Sequence, residues 1–247
     1  MDLNSYFIDF YKRADRLAPG SISATRNAFS LLPLADTDID ILDIGCGNGA
    51  QTIELASIPG VDIYAVDIHD EFLINLKNKI NQSEFLRKIK LIKADMNDLP
   101  FRHQQFDLIW SEGSIYIMGF RNGLNKLKKF LKTNGYFVVS EISWLKNDIP
   151  DEINNYWNSE YPEISDIKTK KEVIKECGYE LISDFTLEES CWMDYYNSLN
   201  NVIDDYLSEH NNNAFALEVI NEFRNEFNLY KKYKDCYSYV FYVLKLI

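Results

Sequence analysis

One segment restricts this chain more than any other: the short apolar run Asp40-Ile41-Leu42-Asp43-Ile44 opens directly into Gly45-Cys46-Gly47-Asn48-Gly49. An apolar run of this length bounded by glycine carries the signature of a buried strand. Beyond the glycines, Ile53, Leu55 and Ala56 suggest a helix. Strand, glycine turn and helix in that order place a backbone without side chains at the carboxyl end of a strand, where a ligand can approach closely.

The same alternation continues. Residues 61–67, 89–94, 106–110 and 135–142 read as strands, and residues 71–80 and 121–131 as helices. The pattern loosens over residues 144–167, after which 168–177 reads as a helix ending at Gly178, a good C-terminal cap, and 179–187 as a strand. Residues 193–207 and the stripe Ala216, Ile220, Phe223, Phe227 and Tyr230 predict further helices before a closing strand at 237–246. Upstream, the three-and-four spacing of Leu3, Phe7, Phe10, Ala14 and Leu17 predicts a helix over residues 3–17. Pro19-Gly20-Ser21 interrupts it, and Ala24, Ala28 and Leu31 mark a second helix ending near Pro33. Strands alternating with helices predict an α/β fold with a mostly parallel sheet covered on both faces.

Composition narrows the function classes. A 247-residue chain with 46% hydrophobic and 26% charged residues can bury a real core, and no stretch approaches the roughly 20 apolar residues of a membrane span. The net charge of −12 repels phosphate backbones and argues against nucleic acid as a partner. Cys46, Cys177, Cys191 and Cys236 form no C-x-x-C pair, and Met-Asp-Leu-Asn lacks the start of a signal peptide, so a reduced, cytoplasmic chain is expected. His69, His103 and His210 lie too far apart for a histidine zinc motif. Asp36, Asp38 and Asp40 resemble the start of a calcium loop, but Ile41 stands where that loop needs glycine and Gly47 where it needs glutamate; no metal site is expected.

Two cofactor classes fit the glycine turn. Gly45, Gly47 and Ala50 match the G-x-G-x-x-G/A fingerprint, and Asp67 follows about 20 residues on, where an acid meets a ribose hydroxyl. That keeps an NAD-dependent oxidoreductase open. Against it stands Asp43, whose carboxylate would repel a pyrophosphate. A ligand bearing an ammonium and a sulfonium group, such as S-adenosylmethionine, tolerates that acid.

The run from Asp43 to Gly49 resembles the first motif of the class I S-adenosylmethionine-dependent methyltransferases. Ala65-Val66-Asp67 resembles the acidic end of that family's second strand, and Ala94-Asp95-Met96-Asn97-Asp98-Leu99-Pro100-Phe101 its adenine-binding segment. Phe106-Asp107-Leu108-Ile109-Trp110 is similar to the fourth strand, and residues 131–139, with Asn134-Gly135, to the helix exit and fifth strand. Trp110-Ser111-Glu112-Gly113-Ser114-Ile115-Tyr116 and Pro19-Gly20-Ser21 are closest to a small-molecule branch of the quinone-biosynthesis type.

The resemblance implies a Rossmann-like, doubly wound, seven-stranded sheet with an antiparallel last strand and a helical cap. It implies one domain, with residues 1–35 as an N-terminal helical lid, 36–145 as the donor-binding core, and 146–247 as a C-terminal half whose cap insertion spans about 190–234. The donor-binding set it implies is Asp43, Gly45, Cys46, Gly47, Asn48, Gly49, Asp67, Ile68, Asp95, Met96 and Glu112, with Asp67 on the ribose and Asp95 and the Met96 backbone at the adenine. The reaction implied is in-line methyl transfer to a small acceptor, releasing S-adenosylhomocysteine; a non-catalytic module that only holds the donor is the remaining alternative.

Ligands of open α/β sheets bind beyond the carboxyl ends of the strands. Tyr11, Trp144, Tyr156, Trp157, Trp192, Tyr195 and Tyr196 are the aromatic side chains expected there, suited to an aromatic or amine acceptor. Most of them also suit simple core packing. If a proton must be removed, Glu112 is the first candidate base, with Tyr116, Glu141 and His69 behind it. Cys46 has no histidine partner in the sequence pattern and reads as a packed side chain rather than a nucleophile.

Overall fold

A computed structural model of the chain describes residues 2–34, 38–81, 83–211 and 213–247. Asp36 and the expected boundary between residues 35 and 36 lie outside the described residues. The strands are β1 (Ile39–Ile44), β2 (Val61–Asp67), β3 (Ile89–Lys93), β4 (Phe106–Glu112), β5 (Leu131–Trp144), β6 (Ser165–Asp166), β7 (Tyr179–Thr186) and β8 (Tyr237–Leu246). Across the sheet they run β3-β2-β1-β4-β5-β8-β7, and the two-residue β6 pairs with the end of β5. All neighbours are parallel except β8, which is antiparallel to both β5 and β7. The doubly wound sheet is therefore as expected, with β6 as an eighth, minor strand.

The helices are α1 (Leu3–Tyr11), α2 (Ile22–Ser30), α3 (Ala50–Ala56), α4 (Asp70–Ile80), α5 (Phe120–Leu127), α6 (Asp151–Glu160), α7 (Ile167–Glu176), α8 (Glu189–Asn200), α9 (Ile203–Glu209) and α10 (Ala214–Tyr233). Alternation within each strand sends neighbours to opposite faces. Ile41, Leu108 and Val138 pack with Leu55, Leu73 and Leu76 on one face, while Leu42, Ile109 and Val139 pack with Leu124, Leu127 and Ile174 on the other. Burial on both faces is why these strands read as nearly continuous apolar runs. A third core joins Phe10 of α1 to Trp192, Tyr206, Phe223 and Tyr230 of the helices inserted between β7 and β8.

Four expectations change. The first helix ends at Tyr11, and residues 12–20 run as turns across the strand ends. Leu17 is apolar because it packs over the glycine turn, with its Cδ1 2.6 Å from where a Cβ on Gly47 would stand, and not because it continues a helical stripe. The region that looked loose holds α6: Pro150 caps it, Asp151 and Glu152 complement its N-terminus, and Ile153 is fully buried. The helix expected over 121–131 stops at Leu127, passes through a tight turn at Lys128–Phe130 and enters β5 at Leu131. The run 193–207 is likewise broken between α8 and α9 at Asn201 and Val202.

Candidate active site

The strand order reverses between β2 and β4 around β1, so the crevice of the fold opens at the carboxyl end of β1. There the chain needs three left-handed residues, with φ of 68° at Gly45, 52° at Gly47 and 81° at Gly49. A side chain at such angles is strained, which accounts for glycine at all three. The turn is tied to β2 by the Gly45 and Cys46 N–H groups, which donate to the Val66 carbonyl at 2.9 and 3.0 Å.

Two carboxylates hold the turn from different sides. Asp67, at the end of β2, accepts from Gly47 N–H at 3.0 Å and His69 N–H at 2.9 Å, and burial still raises its pKa above the usual carboxylate range. Asp43 is fully buried and accepts from Thr52 Oγ1 at 2.5 Å and Gln51 Nε2 at 3.3 Å. Burial pushes the Asp43 carboxyl up to about 7, against those hydrogen bonds and with help from the charges of Glu112 and Asp67.

A single cavity of about 590 Å³ opens over this turn. Gly45, Cys46, Gly47, Asn48 and Gly49 line it, as do Asp67, Ile68, Asp95, Met96 and Glu112. Asp43 is the one residue of the expected donor-binding set that does not: it lies behind the turn, and Gln51 is its neighbour on the cavity wall. Asp43 therefore reaches the cavity only through Gln51, which bonds it and lines the wall. The Asn48 side chain also turns away, donating to the carbonyls of Lys12 at 3.2 Å and Ala14 at 2.6 Å and so anchoring the N-terminal strap. Asp95 Oδ1 accepts from the Asn97 N–H at 2.8 Å, a local turn that keeps the segment after β3 in place. Cys46 is buried, its thiol pKa raised well above the ordinary value by burial, and among the described residues it has no partner that would activate it.

Glu112 changes role. One of its oxygens accepts from Arg16 Nη1 at 2.9 Å; the other accepts from Thr25 Oγ1 at 2.8 Å and Trp110 Nε1 at 3.0 Å. Three donors thus engage both oxygens of this carboxylate and take up three of its roughly four acceptor sites. Glu112 lines the cavity as the clamp that holds the strap of residues 12–20 over the turn, and the expectation of a base there does not fit its surroundings.

At the far wall, Tyr11, Tyr116, Tyr156, Trp157, Trp192 and Tyr195 present aromatic surface. Trp144 and Tyr196, also expected there, are buried in the core instead. Tyr116 faces the cavity with a pKa raised by burial, and His69 lines the opposite, glycine-turn end. Glu141 lies outside the cavity, fully buried and paired at 3.1 Å with Lys170, whose own pKa burial lowers. Sequence reading missed Glu160, Glu222 and Glu226 on the far wall, and Arg16, Thr25 and Gln51 around the turn. Glu222 and Glu226 are four residues apart on α10, a spacing visible in the sequence but without meaning until the cap is folded. Among the described residues, no group of three or more His, Cys, Asp or Glu converges as a metal site, and no helix is long and apolar enough to cross a membrane.

A family model described as a methyltransferase domain matches residues 35–214. The chain belongs to this family of methyltransferase domains, in its class I, Rossmann-like form. It is 23% identical over 152 residues to sterol 24-C-methyltransferase of Saccharomyces cerevisiae, covering 58% of this chain and 39% of that protein. It is 30% identical over 104 residues to sarcosine/dimethylglycine N-methyltransferase of Aphanothece halophytica, covering 41% and 37%. The chain thus spans about a third to a half of the length of the curated relatives it matches. Among solved structures, a methyltransferase from Thiobacillus denitrificans in complex with S-adenosyl-L-homocysteine superimposes with a TM-score of 0.83 at 15% identity, over 100% of this chain and 99% of that one.

Proposed function

We propose that the chain binds S-adenosylmethionine over the glycine turn and transfers its methyl group, by in-line displacement, to a small molecule held against the aromatic wall. The observation that carries this reading is one continuous cavity, bounded at one end by Gly45 to Gly49, Asp67 and the Asp95-Met96 segment and at the other by the cap, with room for a donor and a small acceptor. The residues present fit the donor. Asp67 offers acceptor oxygens for ribose hydroxyls, Asp95 and the Met96 backbone suit the adenine, and the backbone of Gly45 to Gly49 leaves room for close approach.

When bound, the donor supplies an already activated methyl group, so no protein nucleophile is needed. The chain's share is alignment and exclusion of water: the strap clamped by Arg16 and Glu112 covers the donor end, and α6, α8 and α10 wall the acceptor end. The described residues 2–34 of the N-terminal segment act as a lid and the helices inserted between β7 and β8 as an acceptor cap on a single domain. A neutral hydroxyl or protonated amine would need a base, and that base is not Glu112.

An NAD-dependent oxidoreductase loses support for a different reason than charge, since Asp43 is shielded behind the turn. Membership of the methyltransferase-domain family is what favours the methyl donor. A module that binds the donor without turnover is separated by assay. Incubation with S-adenosylmethionine and a panel of amines, phenols and quinols should release S-adenosylhomocysteine with at least one acceptor class; donor binding with no release across the panel would favour the binding module.

A further inference from the structure

The acceptor end of the cavity is strongly biased in charge. Its walls from α6, α8 and α10 contribute three carboxylates, Glu160, Glu222 and Glu226, and among the described residues no Lys, Arg or His. The basic side chains that reach the cavity, Arg16 and His69, stand at the glycine-turn end, and Arg16 is paired with Glu112. An anionic acceptor would meet only like charge here.

Glu226 is the best placed of the three acids. It projects from the middle of α10, where Tyr196 OH donates to its Oε1 at 2.7 Å, and Oε2 has no protein donor among the described residues. Its charge is felt by the hydroxyls of Tyr11, Tyr116, Tyr156, Tyr195 and Tyr239, all of which line the same cavity. Burial raises the Glu226 pKa, as it does for a carboxylate with no cation beside it. Aromatic faces around a single carboxylate form the arrangement that attracts an organic ammonium and holds it out of water.

We infer that the acceptor is a small organic amine that enters as its ammonium, with Glu226 as its counter-ion inside the ring of Tyr11, Tyr156, Trp157 and Tyr195. This rests on the methyltransferase reading above and narrows its acceptor. The ammonium gives one proton to Glu226 Oε2 to expose the nitrogen lone pair. The N–C bond then forms as the S–C bond of the donor breaks, with the electron pair of that bond remaining on the now neutral sulfur. The nitrogen, neutral after giving up its proton, takes on the positive charge that the sulfonium loses, and the proton on Glu226 passes to water as product leaves. A burial-raised carboxylate suits the proton transfer because its affinity for the proton lies closer to that of the amine.

The test compares choline with 3,3-dimethyl-1-butanol, its neutral isostere, by calorimetric titration of the full chain preloaded with S-adenosylhomocysteine. Choline cannot be methylated, so the readout is independent of turnover. Choline should bind at least about tenfold more tightly than the isostere, and Glu226→Gln should remove most of that preference while the melting temperature and S-adenosylhomocysteine affinity persist. Tyr156→Leu, which keeps the carboxylate and removes one ring, should reduce the preference as well. Equal affinities for the two probes, or an undiminished preference in folded Glu226→Gln, would overturn the inference. Absence of S-adenosylhomocysteine binding in the first titration would instead strike the donor reading itself.

Discussion

Replacing Glu112 with glutamine separates a clamp from a base. The ion pair between Arg16 Nη1 and Glu112 Oε2 is 2.9 Å long, with side chains only 15% and 7% exposed. At an effective dielectric of about 20 the gross attraction is roughly 6 kcal/mol, and desolvation of both groups offsets much of it. A net coupling of about 1.5–3 kcal/mol remains, the range of a charged hydrogen bond. Glutamine keeps an acceptor for Thr25 and Trp110 but faces Arg16 with no charge. Glu112→Gln and Arg16→Met should therefore each destabilise the fold and loosen the donor by similar factors, and the double variant should cost less than the two singles added. Chemical denaturation and donor titration of all four proteins give that cycle. The clamp is refuted if the coupling is near zero, and equally if Glu112→Gln loses on the order of 100-fold or more in kcat, the scale of a missing base, while Arg16→Met keeps its rate.

Gly49→Ala places a Cβ 2.2 Å from Leu76 Cδ1 at a φ of 81°, whereas Gly178→Ala meets nothing within 4 Å at a φ of 86°. The second should cost only the conformational strain, about 1–2 kcal/mol, and leave donor affinity intact; the first should add about 1–3 kcal/mol of overpacking and weaken the donor, and equal melting losses would contradict this. Asp67→Ala should weaken donor binding by about 1.5–3 kcal/mol through loss of a charge-assisted contact, read by titration on a variant whose melting is checked. Asp43 sets a pH dependence: burial raises its folded pKa to about 7 from 3.8, so the folded state binds the extra proton between those values. Its contribution to stability is fully present below about pH 4 and is lost as pH rises through about 7. Melting temperatures from pH 4 to 8 should show that loss in the native chain and a flatter profile in Asp43→Asn; identical profiles would show that Asp43 does not carry it.

The glycine turn and the cavity wall around it were legible because their determinants are local. Gly45, Gly47 and Gly49 announce left-handed turn positions within five residues, and Asp67 ends, and Asp95 follows, a strand whose apolar run is visible by itself. What could not be read was the direction of each side chain. Asp43 and Asn48 belong to the motif, yet one points beneath the turn and the other toward the strap. The far wall was hidden for a different reason: Tyr11, Tyr156, Tyr195 and Glu226 come from four helices that meet only in the folded cap. Ala14 and Leu17 extended a helical period past its end because they are apolar for tertiary reasons, while α6 was overlooked although Ile153, Tyr156 and Trp157 carry the three-and-four spacing.

The most direct measurement is parallel calorimetric titration of the purified chain with S-adenosylmethionine, S-adenosylhomocysteine and NAD. Heat of binding is expected from the first two, with the third inert. Binding of NAD with neither sulfur ligand engaged would contradict that expectation and return the glycine turn to the oxidoreductases.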